Sequence, residues 1–371
     1  MDEKIESKEK KEEKKEESKE NSREPLKIKH KVKFKTKLGK FHDKNYKLLL
    51  LIPIAIFIFS FIFMGVFYSN TGEFLHKDIS LTGGTSITIF EKIDINTIKD
   101  DLSNDLGSLN VREISDLITR EQIAVVIETT TNSTEAKGIL EEYLGYPLTE
   151  ENSGIEFTGT ALSENFFNQL LLALILAFSF MGWVVFLLFG KGLKFKIITG
   201  ILVFTSAILS FQVLEISLGL IFSFGILLVT TVIYLFHSIP SLAVIISAFA
   251  NIFMTLTLLN LLNISMSTSG VVALLMLIGY SVDTDILMVN RILKRKEGSL
   301  NSRIFSAFST GITMTLTSLV ALITALIILG SFSPVLTTIF TVLIIGLSFD
   351  LINTWITNAS IMKWYVKSKE E

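Results

Sequence analysis

Three acids interrupt stretches that otherwise hold no charge. Asp283 and Asp285 lie in Leu277-Ile-Gly-Tyr-Ser-Val-Asp-Thr-Asp-Ile-Leu-Met-Val-Asn-Arg291, and Asp350 lies in Gly346-Leu-Ser-Phe-Asp-Leu-Ile-Asn-Thr-Trp355. A carboxylate held in hydrocarbon costs on the order of 3 kcal/mol or more, so each needs a proton, an ion or a polar partner. At roughly 1.5 Å per residue, Asp283 and Asp285 sit about 9–12 Å inside the end of their helix. Two positions along a helix turn the chain by about 200°, so these acids point to nearly opposite sides. Asp283 shares a stripe with Gly279 and Asn290, and that side is expected to face protein. Ser306, Thr310, Thr313 and Thr317 recur along one face of the next apolar segment. They are either donors to a neighbouring carboxylate or hydroxyls satisfied by their own i−4 carbonyls. Ion or proton coupling, or polar contacts in a helix core, is the chemistry that Asp283, Asp285, Asp350, Thr313 and Thr317 could supply.

Covalent catalysis has no such foothold. There is no cysteine, and His30, His42, His76 and His237 are scattered. Neither a Gly-rich phosphate loop nor a nucleophile beside a base is present, so no catalytic residue, cofactor or metal is expected.

The elements carrying the acids follow from charge segregation. The 371 residues have a formal net charge of −2, yet residues 1–47 hold 17 basic and 11 acidic residues and residues 70–164 hold 6 and 18. The remainder holds 11 basic and 7 acidic residues, too few for a water-exposed surface, which excludes a soluble globular fold. Residues 48–72 carry no charge and read as an anchoring membrane helix, not a secretory signal. Further spans are expected near 165–190, 197–214, 217–236, 240–262, 268–290, 305–329 and 334–358, with Ser238-Ile-Pro240, Asn263-Ile-Ser-Met-Ser267 and Gly330-Ser-Phe-Ser-Pro334 as breaks. Eight spans with the N-terminus inside place loops 191–196 and 291–303 and the tail from Lys363 on the cytoplasmic side. Those segments carry all 11 basic residues of the remainder, as the positive-inside rule requires. Glu215 then falls in an outer turn, as a solvated acid.

The domains expected are a disordered, basic cytoplasmic tail (1–47), a first transmembrane helix (48–69), an acidic extracytoplasmic domain (70–164), a membrane core of seven further helices (165–362) and a cytoplasmic tail (363–371). The Lys/Glu run of residues 2–24 cannot bury enough apolar surface to order itself. Lys27, Lys29, Lys31, Lys33, Lys35 and Lys37 form either an arm for anionic lipid or ribosomal RNA or a solvated tether carrying the inside-positive signal; the tether is preferred, with no specific nucleic acid as partner. In the outer domain, Thr85–Phe90, Val111–Ile118, Ile123–Glu128 and Ile155–Thr158 read as strands, and Asn96–Leu106 and Ser133–Tyr143 as helices. Asp94 or Asn96 caps the first helix, and Asn132-Ser-Thr134 starts the second while also matching a glycosylation acceptor pattern. This β-α-β-β-α-β order is the ferredoxin-like pattern. Gly83 and Gly84 allow a sharp turn from membrane to strand.

Together these segments resemble the SecF family, partner of SecD in the Sec protein-export machinery, in its archaeal form. The resembling pieces are Asp78-Ile-Ser-Leu-Thr-Gly-Gly-Thr85, Pro240-Ser-Leu-Ala-Val-Ile, Gly279-Tyr280-Ser-Val-Asp283-Thr-Asp285 through Asn290-Arg291, Thr313-Met-Thr-Leu-Thr-Ser318 and Asp350-Leu-Ile-Asn-Thr-Trp355. The resemblance implies a polytopic helical protein with an RND-like core of six family helices and a ferredoxin-like outer domain, working with SecD beside the SecY channel on translocating polypeptides. It carries the family's membrane acid onto Asp283, with Asp285 next to it, whereas Thr313 stands where relatives place an arginine. It also marks residues 190–237 as an inserted helical hairpin. The implied role is non-enzymatic: promoting protein export across, or insertion into, the cytoplasmic membrane. The alternative is a proton-driven RND-type exporter of small apolar molecules, against which stand the single outer domain and half the usual helix repeat.

Overall fold

A computed structural model describes residues 45–116, 119, 121–295, 298–330 and 333–370; the basic tail expected over 1–47 lies almost wholly outside them. Among the described residues eight helical segments are long and apolar enough to cross a membrane. They contain α1 (Leu51–Thr71), α5 (Thr160–Phe189), α6 (Leu193–Gln212), α7 (Ile216–His237), α8 (Ile239–Leu261), α9 (Thr268–Lys294), α10 (Leu300–Leu329) and α11 (Pro334–Ile352). A short helix α2 (Ile79–Thr82), two helices α3 (Ile95–Leu102) and α4 (Ser133–Leu144), and strands β1 (Gly84–Ile89), β2 (Leu109–Ser115), β3 (Gln122–Thr129) and β4 (Ser153–Thr158) lie between α1 and α5.

Serine hydroxyls start four of the long helices. Ser238, Ser267, Ser299 and Ser333 accept from the amides of Ser241, Gly270, Ser302 and Leu336, and Pro240 and Pro334 occupy first turns, where no intrahelical N–H is needed. The breaks expected at Ser238–Pro240 and before Pro334 are thus helix starts. At the other end, α11 does not stop near residue 358. It passes through a π-helical segment, Asn353–Asn358, into α12 (Ala359–Glu370). Lys363, expected in a tail, is instead helical and fully buried, with its ammonium 4.8 Å from the Tyr46 ring centre. The aromatic face and the buried aliphatic stem accommodate the charge at the bundle end.

In the membrane bundle α8, α9 and α11 are central, with α10 and α5 packed around them and α1 on α8. Helices α6 and α7 pack mainly on each other and on α5, at the periphery. Ser206, Ser210 and Ser223 bond to one another between them, so these hydroxyls are satisfied within the hairpin.

The four-stranded sheet has the order β2-β3-β1-β4 with each neighbouring pair antiparallel. Ile87, Ile89, Val125 and Ile127 point to one face, where Ile98 and Leu102 of α3 and Ala136 and Leu140 of α4 cover them. Asp94 and Asn132 cap these helices through their side chains. Gly83 and Gly84 have φ of 82° and 149°, and a Cβ at Gly84 would stand 2.4 Å from the Thr129 carbonyl oxygen. Glycine is required there by both backbone angle and space. The segment entering the sheet is stitched to the α8–α9 turn. Met266 N donates to His76 O at 2.6 Å, Asp78 N to Met266 O at 2.9 Å, and Asn260 Nδ2 to Phe74 O at 2.8 Å.

Candidate functional site

The acids sort by the helix face each occupies. A stripe on α9 containing Val271, Leu274, Leu277, Ile278, Ser281, Asp285, Met288 and Ile292 is buried against its neighbours. A rise of two residues from Ser281 to Asp283 swings the side chain to the opposite side, and Asp283 is exposed, as are Gly279, Tyr280 and Asn290. Within the isolated chain the stripe of Gly279, Asp283 and Asn290 is exposed: α9 is central on one side and lies at the bundle edge on the other.

Asp285 and Asp350 are both fully buried and belong to one cluster. Ser281 Oγ donates to Asp350 Oδ1 at 2.5 Å across the α9–α11 interface, and Thr354 Oγ1 donates to the same oxygen at 3.2 Å. Asn358 Nδ2 donates to Asp285 Oδ1 at 2.8 Å. Asp350, Thr354 and Asn358 fall at successive intervals of four along one helix, and the π-helical segment widens the backbone between them. A π-segment inside a helix commonly marks a functional position. Close approach of the neighbouring helix is allowed by Gly311, where a Cβ would stand 2.4 Å from the Trp355 ring. From α8, Ser247 lies against Asp285, and Asn251 falls one turn further along α8. No ion pair among the described residues involves either acid.

The threonines of α10 do not join this cluster. Thr313 donates to Ser309 O at 2.8 Å and Thr317 to Thr313 O at 2.7 Å, both on an exposed face. Of the two readings of these hydroxyls, the structure shows the bonds to their own i−4 carbonyls. Ser306 and Thr310 serve the helix end instead, accepting from Arg291 at 2.7 Å (Ser306 O) and 2.9 Å (Thr310 Oγ1).

Asn358, Ser281, Ser247 and Asn251 were not singled out by sequence reasoning centred on acids. The signal was there: the i, i+4, i+8 spacing of Asp350, Thr354 and Asn358, and amides inside apolar spans.

Outside the membrane, the uncovered face of the sheet overlooks the ends of α9 and α11 across a cleft of 510 Å³ lined by Asp78, Ser86, Arg112, Glu128, Thr268 and Thr338, among others. Glu128 accepts from Arg112 and, at 2.9 Å, from Asn110 Nδ2. Burial, and then the Asp78 charge, raise its carboxyl above the ordinary value, against the pull of Arg112.

Comparison with known proteins adds independent findings. A family model described as protein export membrane protein SecD/SecF, C-terminal, matches residues 206–368. Over 330 residues the chain is 33% identical to the protein-export membrane protein SecF of Methanocaldococcus jannaschii, covering 87% of this chain and 96% of that one. It is 26% identical over 294 residues to the protein of the same name from Methanopyrus kandleri, covering 79% and 86%. The crystal structure of SecDF, a translocon-associated membrane protein from Thermus thermophilus, superposes with a TM-score of 0.54 at 15% identity over 88% of this chain. The match spans 38% of that longer chain, and at this identity the likeness is one of fold.

Proposed function

The chain belongs to the SecF family of protein-export membrane proteins, and from that membership we propose that it is the SecF-like auxiliary subunit that acts with SecD in protein export. The observation that carries the reading is the exposed side of α9. Asp283 lies there about 22 Å along the helix from its start, well inside the apolar span, beside exposed Gly279, Tyr280 and Asn290. An ionisable group at that depth does not face lipid without cost, so a protein partner covers it. SecD is that partner. Thr313 and Thr317 on the exposed side of neighbouring α10 extend the same polar surface. In this reading Asp283 serves ion or proton coupling, or a polar contact, at the interface with SecD, while Asp285 and Asp350 form a second polar centre inside the SecF core.

The finer assignments rest on the following support. The sheet order β2-β3-β1-β4 with two helices on one face supports a ferredoxin-like outer domain over 70–164. The central helices with peripheral α6 and α7 support an RND-like core carrying an inserted hairpin at 190–237. The basic segments support a cytoplasmic-membrane protein with both termini inside. In this arrangement the outer domain meets the translocating polypeptide beside the SecY-type channel, with lipid around the peripheral helices. A self-contained exporter of small apolar molecules is not favoured by the family membership.

Isolation of the tagged chain in mild detergent tests the proposal. SecD is expected in stoichiometric yield, with the SecY-type channel co-purifying. If neither is recovered while the purified chain alone dissipates a proton gradient, the export reading is wrong.

A further inference from the structure

Asn132-Ser-Thr134, Asn263-Ile-Ser265 and Asn358-Ala-Ser360 each match the Asn-X-Ser/Thr pattern that accepts an asparagine-linked glycan. The pattern is short, and the folded surroundings of the three asparagines separate them. Asn358 is fully buried in the bundle, with its Nδ2 bonded to Asp285. Asn263 lies two residues past the end of α8 with φ of 53°, its N donating to Asn260 O at 3.1 Å, tight against the bundle surface.

Asn132 differs on each count. It is exposed, and both hydrogen bonds of its side chain run through Oδ1, from Thr134 N at 3.2 Å and Ser133 Oγ at 3.5 Å. Among the described residues its Nδ2 meets no acceptor. The turn leading to it is anchored: Thr130 Oγ1 accepts from Ser108 N at 3.3 Å and Thr131 Oγ1 from Gly107 N at 3.1 Å. Its height above the membrane follows from α5. Residues 160–169 include Glu164, Asn165, Asn168 and Gln169, so about three turns of that helix, roughly 15 Å, stand clear of the hydrocarbon. Gly83 packs on Thr160 at the top of this stretch and Gly84 on the Thr129 carbonyl, which holds the turn before Asn132 at that level. Helix α4, which Asn132 caps, covers the sheet face opposite the cleft, so a bulky group there leaves the cleft open.

We infer that Asn132 carries an asparagine-linked glycan, an inference that rests on the outer domain lying outside the cell as proposed above. In the transfer, Nδ2 forms a bond to the anomeric carbon of an oligosaccharide activated through a lipid phosphate, as the bond from that carbon to the phosphate oxygen breaks. The nitrogen gives up one proton, and the lipid phosphate leaves with the electron pair. Thr134 supplies the hydroxyl of the acceptor pattern. The product is still an amide with a free carbonyl oxygen, so the cap on Thr134 N survives the modification.

The experiment is peptide mass mapping of the full chain, purified in mild detergent from the cells that natively make it. Trypsin cuts after Arg120 and Lys137, so residues 121–137 form one peptide. That peptide is expected to be heavier by an oligosaccharide, with the increment on Asn132 and removed by chemical deglycosylation. Asn132→Asp keeps a capping oxygen and loses Nδ2, and is expected to abolish the increment in a folded chain. Thr134→Ala is expected to abolish it, Thr134→Ser to retain it and Asn263→Gln to leave it unchanged. The chain has no cysteine, so Glu142→Cys on exposed α4 gives a single thiol for a membrane-impermeant maleimide. An unmodified peptide in a chain labelled in intact cells overturns the proposal, as does an increment that survives Asn132→Asp or maps to a hydroxyl. An unmodified peptide in a chain labelled only after lysis overturns the orientation, and the site with it.

Discussion

Ser281 of α9 and Asp350 of α11 meet at 2.5 Å, side chain to side chain, whereas Asp283, two residues beyond Ser281, turns away to the outside of the bundle. A single helix thus serves two polar centres that do not share a partner, and changes at the two are expected to separate.

Asp283→Asn is expected to leave the unfolding midpoint of the isolated chain within about 1 °C of wild type, because exposed substitutions away from packed features change stability little. Export of secreted proteins is expected to slow. Pulse-chase of an exported reporter in cells carrying the variant measures it, and unchanged export would assign Asp283 to packing alone.

Asn358→Ala removes the donor to Asp285 and leaves a buried carboxylate oxygen exposed to no partner. A loss of roughly 1.5–3 kcal/mol is expected, read from unfolding in mixed micelles. In a double-mutant cycle with Asp285→Asn, the two losses are expected to be non-additive by about 1 kcal/mol or more.

Gly84→Ala is expected to destabilise the outer sheet by roughly 2 kcal/mol, since φ of 149° and the Thr129 carbonyl at 2.4 Å both oppose a Cβ. Hydrogen exchange within residues 84–158 of the full chain should accelerate, while exchange in α8 and α9 stays at wild-type rates.

Glu128 gives the outer domain a pH dependence of known sign. Its carboxyl is raised in the fold above the ordinary 4.5, so its protonated form is favoured there. The stability this contributes is present below that value and declines as pH rises through the higher folded value. Glu128→Gln keeps the hydrogen-bonding shape and is expected to flatten that decline, as measured by amide exchange of β1 and β3 across the range above pH 4.5.

A reporter inserted in loop 191–196 is expected to give a cytoplasmic signal, and one inserted after Glu215 an external signal. The reverse pattern would overturn the proposed orientation.

The spans were readable because an apolar stretch long enough for a bilayer is a composition signal, and the starts of α8 and α11 were marked by Ser and Pro. The outer strands and the Asp94 and Asn132 caps were readable from alternation and side-chain type. Which acid is buried was not. A 200° separation tells that Asp283 and Asp285 differ, but the choice between them depends on which side of α9 meets α8 and α11, a property of the whole bundle. Likewise Thr313 and Thr317 carry the same period whether they bond a neighbouring carboxylate or their own backbone. The continuation of α11 through Asn353–Asn358 to Glu370 was hidden because Lys363 reads as a tail residue until Tyr46 is brought beside it.

Helix α5 has one residue, Gly159, between itself and β4, and Gly83 packs against the backbone of Thr160 at its first turn. Its 30 residues form a rod about 45 Å long. With so short a joint, the sheet and the rod are joined almost directly, while the segment entering the sheet is held to the α8–α9 turn. A tilt of about 5° displaces the far end of such a rod by about 4 Å. A change of tilt in α5 is therefore carried into the sheet with no flexible linker to absorb it.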